Sequence, residues 1–588
     1  MGRLGEITRR LSERPIAAAA VVAALTISIH ATYAHKNTVP LHILQSGGWA
    51  RFLAALSVSW LQALAVYYVI VRLPKLARLI LVPVLTTVVI VQVTFWRAVH
   101  TYMLSTEFFL ALTVGREHVL GAIESFFDPT AFLIASPFAL VFVGIASLSS
   151  LRWTARTALA AVAAVGFVLA TNYAFYIRVD EKQFIPDPVT NLVRSVCMYK
   201  FRQAVEYHGP RDPVPPVAGA KTPRASVIYI VDESVRGSNL SINGYPRDTT
   251  PYLRSLEVEG RLKNFGICAA VSVYSHVSNA YLISGASVIP DREFRTVKNP
   301  TLFDFAKALG YQTLFIDVNH AWLSIRADEE GRTTIPSVDR WVRERDAKTA
   351  KIPLLARKDM AVADVIIDAL DRREGLFIYV VKSGLHFPYS IRFPDGPEHR
   401  IWEPVMEETD PIDPSPEGRE RLVNTFDDGI RFQVDEFFHE ILSRTKNQNF
   451  VVLYTSDHGQ TLSENGQKYT HAKPDKVIVD VPCFIVQGAG YDNGALVASA
   501  APGVRVSHLN LFATALDLLG APVSMRKEPY AKSIFELTAS DNKVRPYLTG
   551  SLNGDSRGIG AQYDIGKIPD PPDPGWGVSK PPPFVTAR

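Results

Sequence analysis

An aspartate, a histidine and a glycine stand side by side at 457–459, where an apolar run ends in VVLYTSDHGQTLSENGQKYTH (451–471). A hard carboxylate oxygen next to a borderline imidazole nitrogen is the donor pair zinc accepts, and the glycine lets the backbone turn away at once. Alone, Asp457-His458-Gly459 reads equally well as a capped turn. Two other apolar runs end in matching chemistry. Asp232-Glu233-Ser234-Val235-Arg236 follows 226–231, and His386, in SGLHFPY, follows 376–381. Glu233, Asp457 and His458 supply three metal ligands and leave a fourth position open, which is the arrangement of a catalytic rather than a structural site. His386 and His471 are then available to hold phosphoryl oxygens, protonate a leaving group or bind a second ion. The fourth position suits a hydroxyl nucleophile activated by the metal. FGICAAVSVYSHVSNAY (265–281) offers Ser272, Ser275 and Ser278, and spacing alone does not choose among them.

The elements that must gather these residues are legible as alternating patterns. Short, continuous apolar runs at 226–231, 312–318, 376–381 and 450–454 predict buried strands, and stretches at 301–309, 359–371 and 419–444 predict helices between them. Such alternation predicts a doubly wound α/β domain with a mainly parallel sheet. Ligands in such sheets sit beyond the carboxyl ends of the strands, where all three clusters fall.

The first 178 residues are different. Runs at about 16–34, 52–71, 79–96, 129–149 and 157–177 are each long enough to cross a bilayer and contain no Asp, Glu, Lys or Arg. The absence of intramembrane charge argues against a transporter. Arg3, Arg9, Arg10 and Arg14, then Arg72, Lys75 and Arg78, then Arg152 and Arg156 mark one side of the membrane as basic. By the positive-inside rule the N-terminus is cytoplasmic, and five crossings place everything after Ile177 outside, in a bacterial periplasm. Tyr102–Phe127 has the spacing of an amphipathic segment on the outer face. The expected organisation is a five-helix anchor (1–178), an interfacial helix with a Pro-rich linker (179–224), a catalytic domain (225–567) and a Pro-rich tail (568–588). Three cysteines, Cys197, Cys268 and Cys483, allow at most one disulfide, and a net charge of +4 spread along the chain implies no nucleic-acid partner.

The residues resemble a known family. IVDESVRGSNLSINGYPRDTTPYL (230–253) is similar to the metal-binding opening of the membrane-bound phosphoethanolamine transferases, which belong to the alkaline phosphatase and sulfatase superfamily. TSDHGQTLSENG (455–466) is similar to their second metal motif, and NTFDDGIRFQVDEFF (424–438) to the helix before it. The resemblance implies Glu233, Asp457 and His458 as ligands of one zinc ion, with a second ion and Mn²⁺ left open, and His386 and His471 on the phosphate side. Counting eight residues from Asn264, as in the family, implies Ser272 as nucleophile and fourth ligand. Aligning the AVSV tetrapeptide instead would put Ala269 there. Thr113 and Glu117 resemble residues of the family's lipid site, although Phe109 stands where an Asn is expected. Asp232 replaces the usual Gly, Ser replaces Thr, and the disulfides of the lipid A enzymes are missing. Cys268 lies in C-A-A-V-S, which does not support sulfatase chemistry. The implied activity is transfer of phosphoethanolamine from phosphatidylethanolamine to lipid A, a core sugar or another periplasmic glycan, by a monomeric inner-membrane enzyme. The alternatives are a phosphoglycerol transferase of the same superfamily and a silent, membrane-tethered binding module.

Overall fold

In a computed structural model of the chain, the described residues are 13–564 apart from 34–38, 100–101, 104–128, 149–152, 179–186, 206, 208, 218–222, 224, 290, 292, 320–336, 344–354, 409, 465, 467–469, 472–474, 527–528, 543–544 and 549–561. Thr113, Glu117, the segment after Met103 that was expected to be amphipathic, and the Pro-rich tail lie outside them. The chain forms two compact units, Met1–Glu206 and Tyr207–Arg588.

The first unit is helical. Helices α1 (Pro15–Tyr33), α2 (Val39–Arg72), α3 (Lys75–Val99), α4 (Pro129–Ser147) and α5 (Ala155–Arg178) cover the five apolar runs. Gly48, at φ 68°, breaks α2, so that Gly48–Arg72 is its membrane-length part. All five are long and apolar enough to cross a membrane. Within the segment expected to form an interfacial helix, Pro188–Val205 is helical (α6) and belongs to this unit rather than to a separate linker. Its polar face explains why. Arg194 donates to Gln62 Oε1 at 2.9 Å, Asn191 to Gln92 Oε1 at 3.2 Å, and Tyr67 donates to the capping Asp187 at 2.8 Å.

The second unit is built on a seven-stranded sheet ordered β2-β7-β6-β1-β5-β3-β4, with β1 Ser226–Asp232, β2 Leu262–Ala269, β3 Gln312–Asp317, β4 Arg340–Arg343, β5 Leu376–Val381, β6 Phe450–Ser456 and β7 Asp480–Gln487. β1, β3, β4, β5 and β6 run parallel, and β7 is antiparallel to both β6 and β2. Strands β1, β5 and β6 are buried along their whole length, which is what a continuous Val/Ile/Tyr run does between two layers of helix. The expected 419–444 helix is interrupted. Pro416–Ile430 passes through a π-turn at Arg431–Glu436 before Phe437–Arg444. The π-turn loosens the regular backbone pairing, and the Gln433 carbonyl accepts from the buried Lys382 ammonium.

Candidate metal centre and its neighbours

The site grows from the register of two central strands. Asp232 of β1 lies opposite Ser456 of β6, so Glu233 and Asp457 leave the sheet side by side at its carboxyl edge. The ladder runs one step further, Asp457 N–H donating to Asp232 C=O at 2.9 Å. Ser234 then takes a left-handed φ of 63° and turns the chain away. Its amide donates to Asp457 Oδ1 at 3.0 Å and its hydroxyl to Glu233 Oε1 at 2.6 Å. A Cβ on Gly459 would stand 2.4 Å from the Val477 carbonyl oxygen, so only glycine fits after His458.

Glu233, Asp457 and His458 are each 1% exposed or less, and one ligand atom from each lies within 4.8 Å of the others. His458 Nε2 is 3.6 Å from both Glu233 Oε1 and Asp457 Oδ2. The other ring nitrogen, Nδ1, lies 2.8 Å from the Gly459 carbonyl, to which it can only donate, and that tautomer leaves an Nε2 lone pair facing the carboxylates. Among the described residues Asp457 Oδ2 is buried without a hydrogen-bond donor in normal geometry, although the Glu233 carboxyl and the Ser275 hydroxyl stand close to that carboxylate. Two adjacent buried carboxylates cannot both keep their charge unaided. Burial and the charge of Glu233 push Asp457 well above the ordinary carboxylate range. Burial pushes Glu233 up as well, and only a positive charge beside it, on a protonated His458 or His386 or on a bound cation, draws that carboxyl below its ordinary range. A divalent cation between the two carboxylates removes the conflict, so the donor set fits zinc.

The serine brought to this cluster is Ser275. Its Oγ lies 3.2 Å from His458 Nε2, and it is the first residue of helix α7 (Ser275–Ser284). Ser272, expected there from the count starting at Asn264, faces elsewhere. Its hydroxyl donates to the Leu548 carbonyl at 3.1 Å, accepts from Tyr274 N–H at 3.2 Å, and sits where 272 bridges to the short strand β8 (Pro546–Leu548). The hydroxyl beside His458 is thus that of Ser275 and not that of Ser272, which was expected there. An extended segment alternates its side chains between two sides, and Ser272 and Ser275 fall on different ones. Ser278 is buried a turn further into the helix.

His471 stacks on His458 with ring centroids 4.7 Å apart, and His386 lies 6.5 Å from His471, so the three imidazoles form one wall. His386 Nδ1 is fixed by the Phe387 carbonyl at 2.8 Å. Burial lowers His386 below its ordinary range and takes His471 to about 3, leaving both neutral at physiological pH.

Three supporting groups carry no mark in the sequence reading. Asn319, just past β3, donates to Glu233 Oε2 at 2.5 Å. His508 accepts from Val271 N–H at 3.3 Å through Nδ1 and meets Thr455 Oγ1 at 3.3 Å through Nε2, tying the Ser275 loop to β6. Lys382, fully buried at the end of β5, bonds Asp232 Oδ2 at 2.6 Å and sits 4.1 Å over the Phe437 ring. Asp232 in turn accepts from Glu233 N–H at 2.9 Å and Tyr454 O–H at 2.8 Å, so the pair lies directly beneath Glu233. The signal for Lys382 was present in the sequence: a lysine attached to an apolar strand must find a buried partner.

Comparison with known proteins gives the same frame. The chain is 22% identical over 251 residues to the Kdo(2)-lipid A phosphoethanolamine 7''-transferase of Escherichia coli, covering 42% of this chain and 41% of that protein. It is 26% identical over 313 residues to phosphoethanolamine transferase EptA of Salmonella typhimurium, covering 50% and 53%. The matched segments thus span about half the length of these curated relatives, or less. The solved structure of the integral membrane lipooligosaccharide phosphoethanolamine transferase A from Neisseria meningitidis superposes with a TM-score of 0.61 at 19% identity, over 87% of this chain and 97% of that one. This likeness establishes a shared fold. The sulfatase family profile matches residues 225–521, just over half of the 588 residues and all of the strands that carry the cluster, and the chain therefore belongs to the sulfatase family.

Proposed function

We propose that this protein transfers phosphoethanolamine from phosphatidylethanolamine to a lipopolysaccharide or other glycan acceptor outside the inner membrane, through a covalent phosphoethanolamine–Ser275 intermediate. The single observation that carries this reading is Ser275 Oγ lying 3.2 Å from His458 Nε2, at the start of a helix and against an orphaned carboxylate oxygen. The named activities of the relatives supply the substrate class.

Glu233, Asp457 and His458 would hold one zinc ion, which when bound lowers the pKa of a neighbouring hydroxyl and draws charge from phosphoryl oxygens. The chain's own residues do the rest. Ser275 Oγ attacks the donor phosphorus, a P–O bond forms to the serine, and the P–O bond to diacylglycerol breaks. One neutral imidazole, of His386 or His471, takes the Ser275 proton as the new P–O bond forms and passes it to the diacylglycerol oxygen as the old one breaks, while the other hydrogen-bonds a phosphoryl oxygen. Because α7 begins at Ser275 itself, the positive end of its dipole favours a phosphate there. In the second half an acceptor hydroxyl gives up its proton to that histidine and displaces Ser275, whose oxygen takes the proton back. The anchor has a physical role in this scheme: the donor is confined to the bilayer, so the catalytic unit must stay at its surface, with the N-terminus inside by the arginine asymmetry.

The test is incubation of the full-length protein with phosphatidylethanolamine or phosphatidylglycerol, followed by mass-spectrometric peptide mapping. The expected result is a phosphoethanolamine adduct on Ser275, abolished in S275A. An adduct from phosphatidylglycerol alone would replace the donor, and an adduct on Ser272 or none at all would overturn the proposed chemistry.

A further inference from the structure

The membrane unit carries a second feature that the transfer reaction does not use. The N-terminal end of α1, the C-terminal end of α2 and the N-terminal end of α5 enclose a cleft of about 350 Å³ lined by Arg14, Ile16, Tyr68, Arg156, Thr157 and Ala160. Its walls are almost wholly apolar, while two exposed guanidinium-bearing residues stand at its mouth. A third arginine shapes the wall without entering it. Arg72 is buried, donates to Thr157 Oγ1 at 3.0 Å and lies 4.7 Å from the Trp153 ring.

The placement of Arg14 and Arg156 works against the helices that bear them. Each stands at a helix N-terminus, where the positive end of the macrodipole disfavours a cation. Among the described residues neither forms an ion pair, and the only carboxylate adjacent in sequence, Glu13, is exposed and does not line the cleft. Positive-inside topology accounts for basic residues at this end of the bundle, but not for two of them closing over an apolar cleft between three helices. An anion at the mouth would offset both the arginine charges and the two dipole ends, and a hydrocarbon chain would fill the walls. One class of molecule supplies both parts.

We infer that the cleft between the ends of α1, α2 and α5 is a binding site for an anionic glycerophospholipid, its phosphodiester held by Arg14 and Arg156 and an acyl chain lying along Ile16, Tyr68 and Ala160. The site lies at the end of the bundle that carries the N-terminus, and it is independent of the transfer chemistry.

The test uses the full-length protein in nanodiscs containing equal amounts of phosphatidylglycerol and phosphatidylethanolamine, with retained lipid counted by native mass spectrometry after partial delipidation. Two basic side chains should favour phosphatidylglycerol by roughly tenfold or more. R14Q/R156Q should bring the preference close to unity. A160W, which fills the cleft without altering charge, should reduce retention as strongly. Both variants change side chains at least partly exposed, and R14K/R156K, keeping the charge, should retain most of the preference. A wild-type protein without preference, or a preference untouched in both R14Q/R156Q and A160W, would overturn the assignment. Phosphatidylglycerol bound at the metal centre instead would not respond to either variant.

Discussion

Two buried aspartates, one in each unit, show what separates a structural acid from a ligand. Asp187, at the start of α6, accepts from Val189 N–H, Thr190 N–H, the Thr190 hydroxyl and the Tyr67 hydroxyl, at 2.6–3.1 Å. Each of its oxygens has a partner, and its work is finished when the helix is capped. Asp457, equally buried, uses Oδ1 for the Ser234 and His458 amides and, among the described residues, leaves Oδ2 without a normal hydrogen bond. Burial is common to both; satisfaction is not. An unpaired buried acceptor costs about 1–3 kcal/mol, more when charged, and a fold keeps one where something else completes it. Asp232 is the intermediate case, a buried acid next to a ligand whose partner is a buried lysine.

The comparison can be broken in several ways. The largest expected effect is at Ser275. S275A should lower transfer by at least about a thousandfold, since losing a nucleophile removes the covalent route. S272A should cost only about 1 kcal/mol of stability per lost hydrogen bond and leave the adduct in place. Mass spectrometry of the two variants side by side separates the roles. Next is Lys382. K382M strands the buried Asp232 charge beneath Glu233 and should cost about 3–5 kcal/mol, read as a fall in denaturant midpoint. Adding D232L to K382M should recover most of that loss, because both charges are then gone.

At Asp187 the expected cost is smaller. D187A removes a helix cap and should destabilise the protein by about 1–2 kcal/mol without changing bound metal by elemental analysis. D457N should do the reverse, losing the metal while sparing, or even raising, the stability of the metal-free chain.

The smallest effect is a pH slope. Burial raises Asp427 and Asp435 to about 6 and Asp428 to about 7. Folded values above the unfolded one mean that the folded chain binds extra protons. Their stabilisation is full below about pH 4 and is lost as pH rises towards 7. D428N keeps an acceptor oxygen for the Ile401 and Trp402 amides and should flatten the stability profile between pH 4 and 7. A steeper profile in D428N would contradict the burial argument.

Much of this was legible before any coordinates. β1, β5 and β6 announce themselves because strands buried on both faces need unbroken apolar runs, and the residues after them then fall at one edge of the sheet. Glu233, Asp457 and His458 follow from that alone. β7 was hidden because Pro482 interrupts DVPCFIVQ, and β2 because LKNFGICA alternates with polar residues and shifts register between Asn264 and Ile267. A proline is tolerated where its missing N–H faces away from the ladder, which sequence does not reveal. The placement of Ser275 rather than Ser272 beside His458 is hidden for a related reason. Counting from Asn264 assumes an unbroken register, whereas that register is shifted by a bulge, and the start of α7 is decided by packing rather than spacing. The spacing of Val277, Ala280, Tyr281 and Ser284 at i, i+3, i+4 and i+7 is the signal in the sequence that a helix runs through this stretch.

The most direct measurement is an anomalous difference map at the zinc edge from crystals of the full-length protein. The account predicts a peak about 2.0–2.3 Å from oxygens of Glu233 and Asp457, from His458 Nε2 and from Ser275 Oγ. A map with no peak between those four side chains, or with Ser272 rather than Ser275 beside the metal, would contradict it.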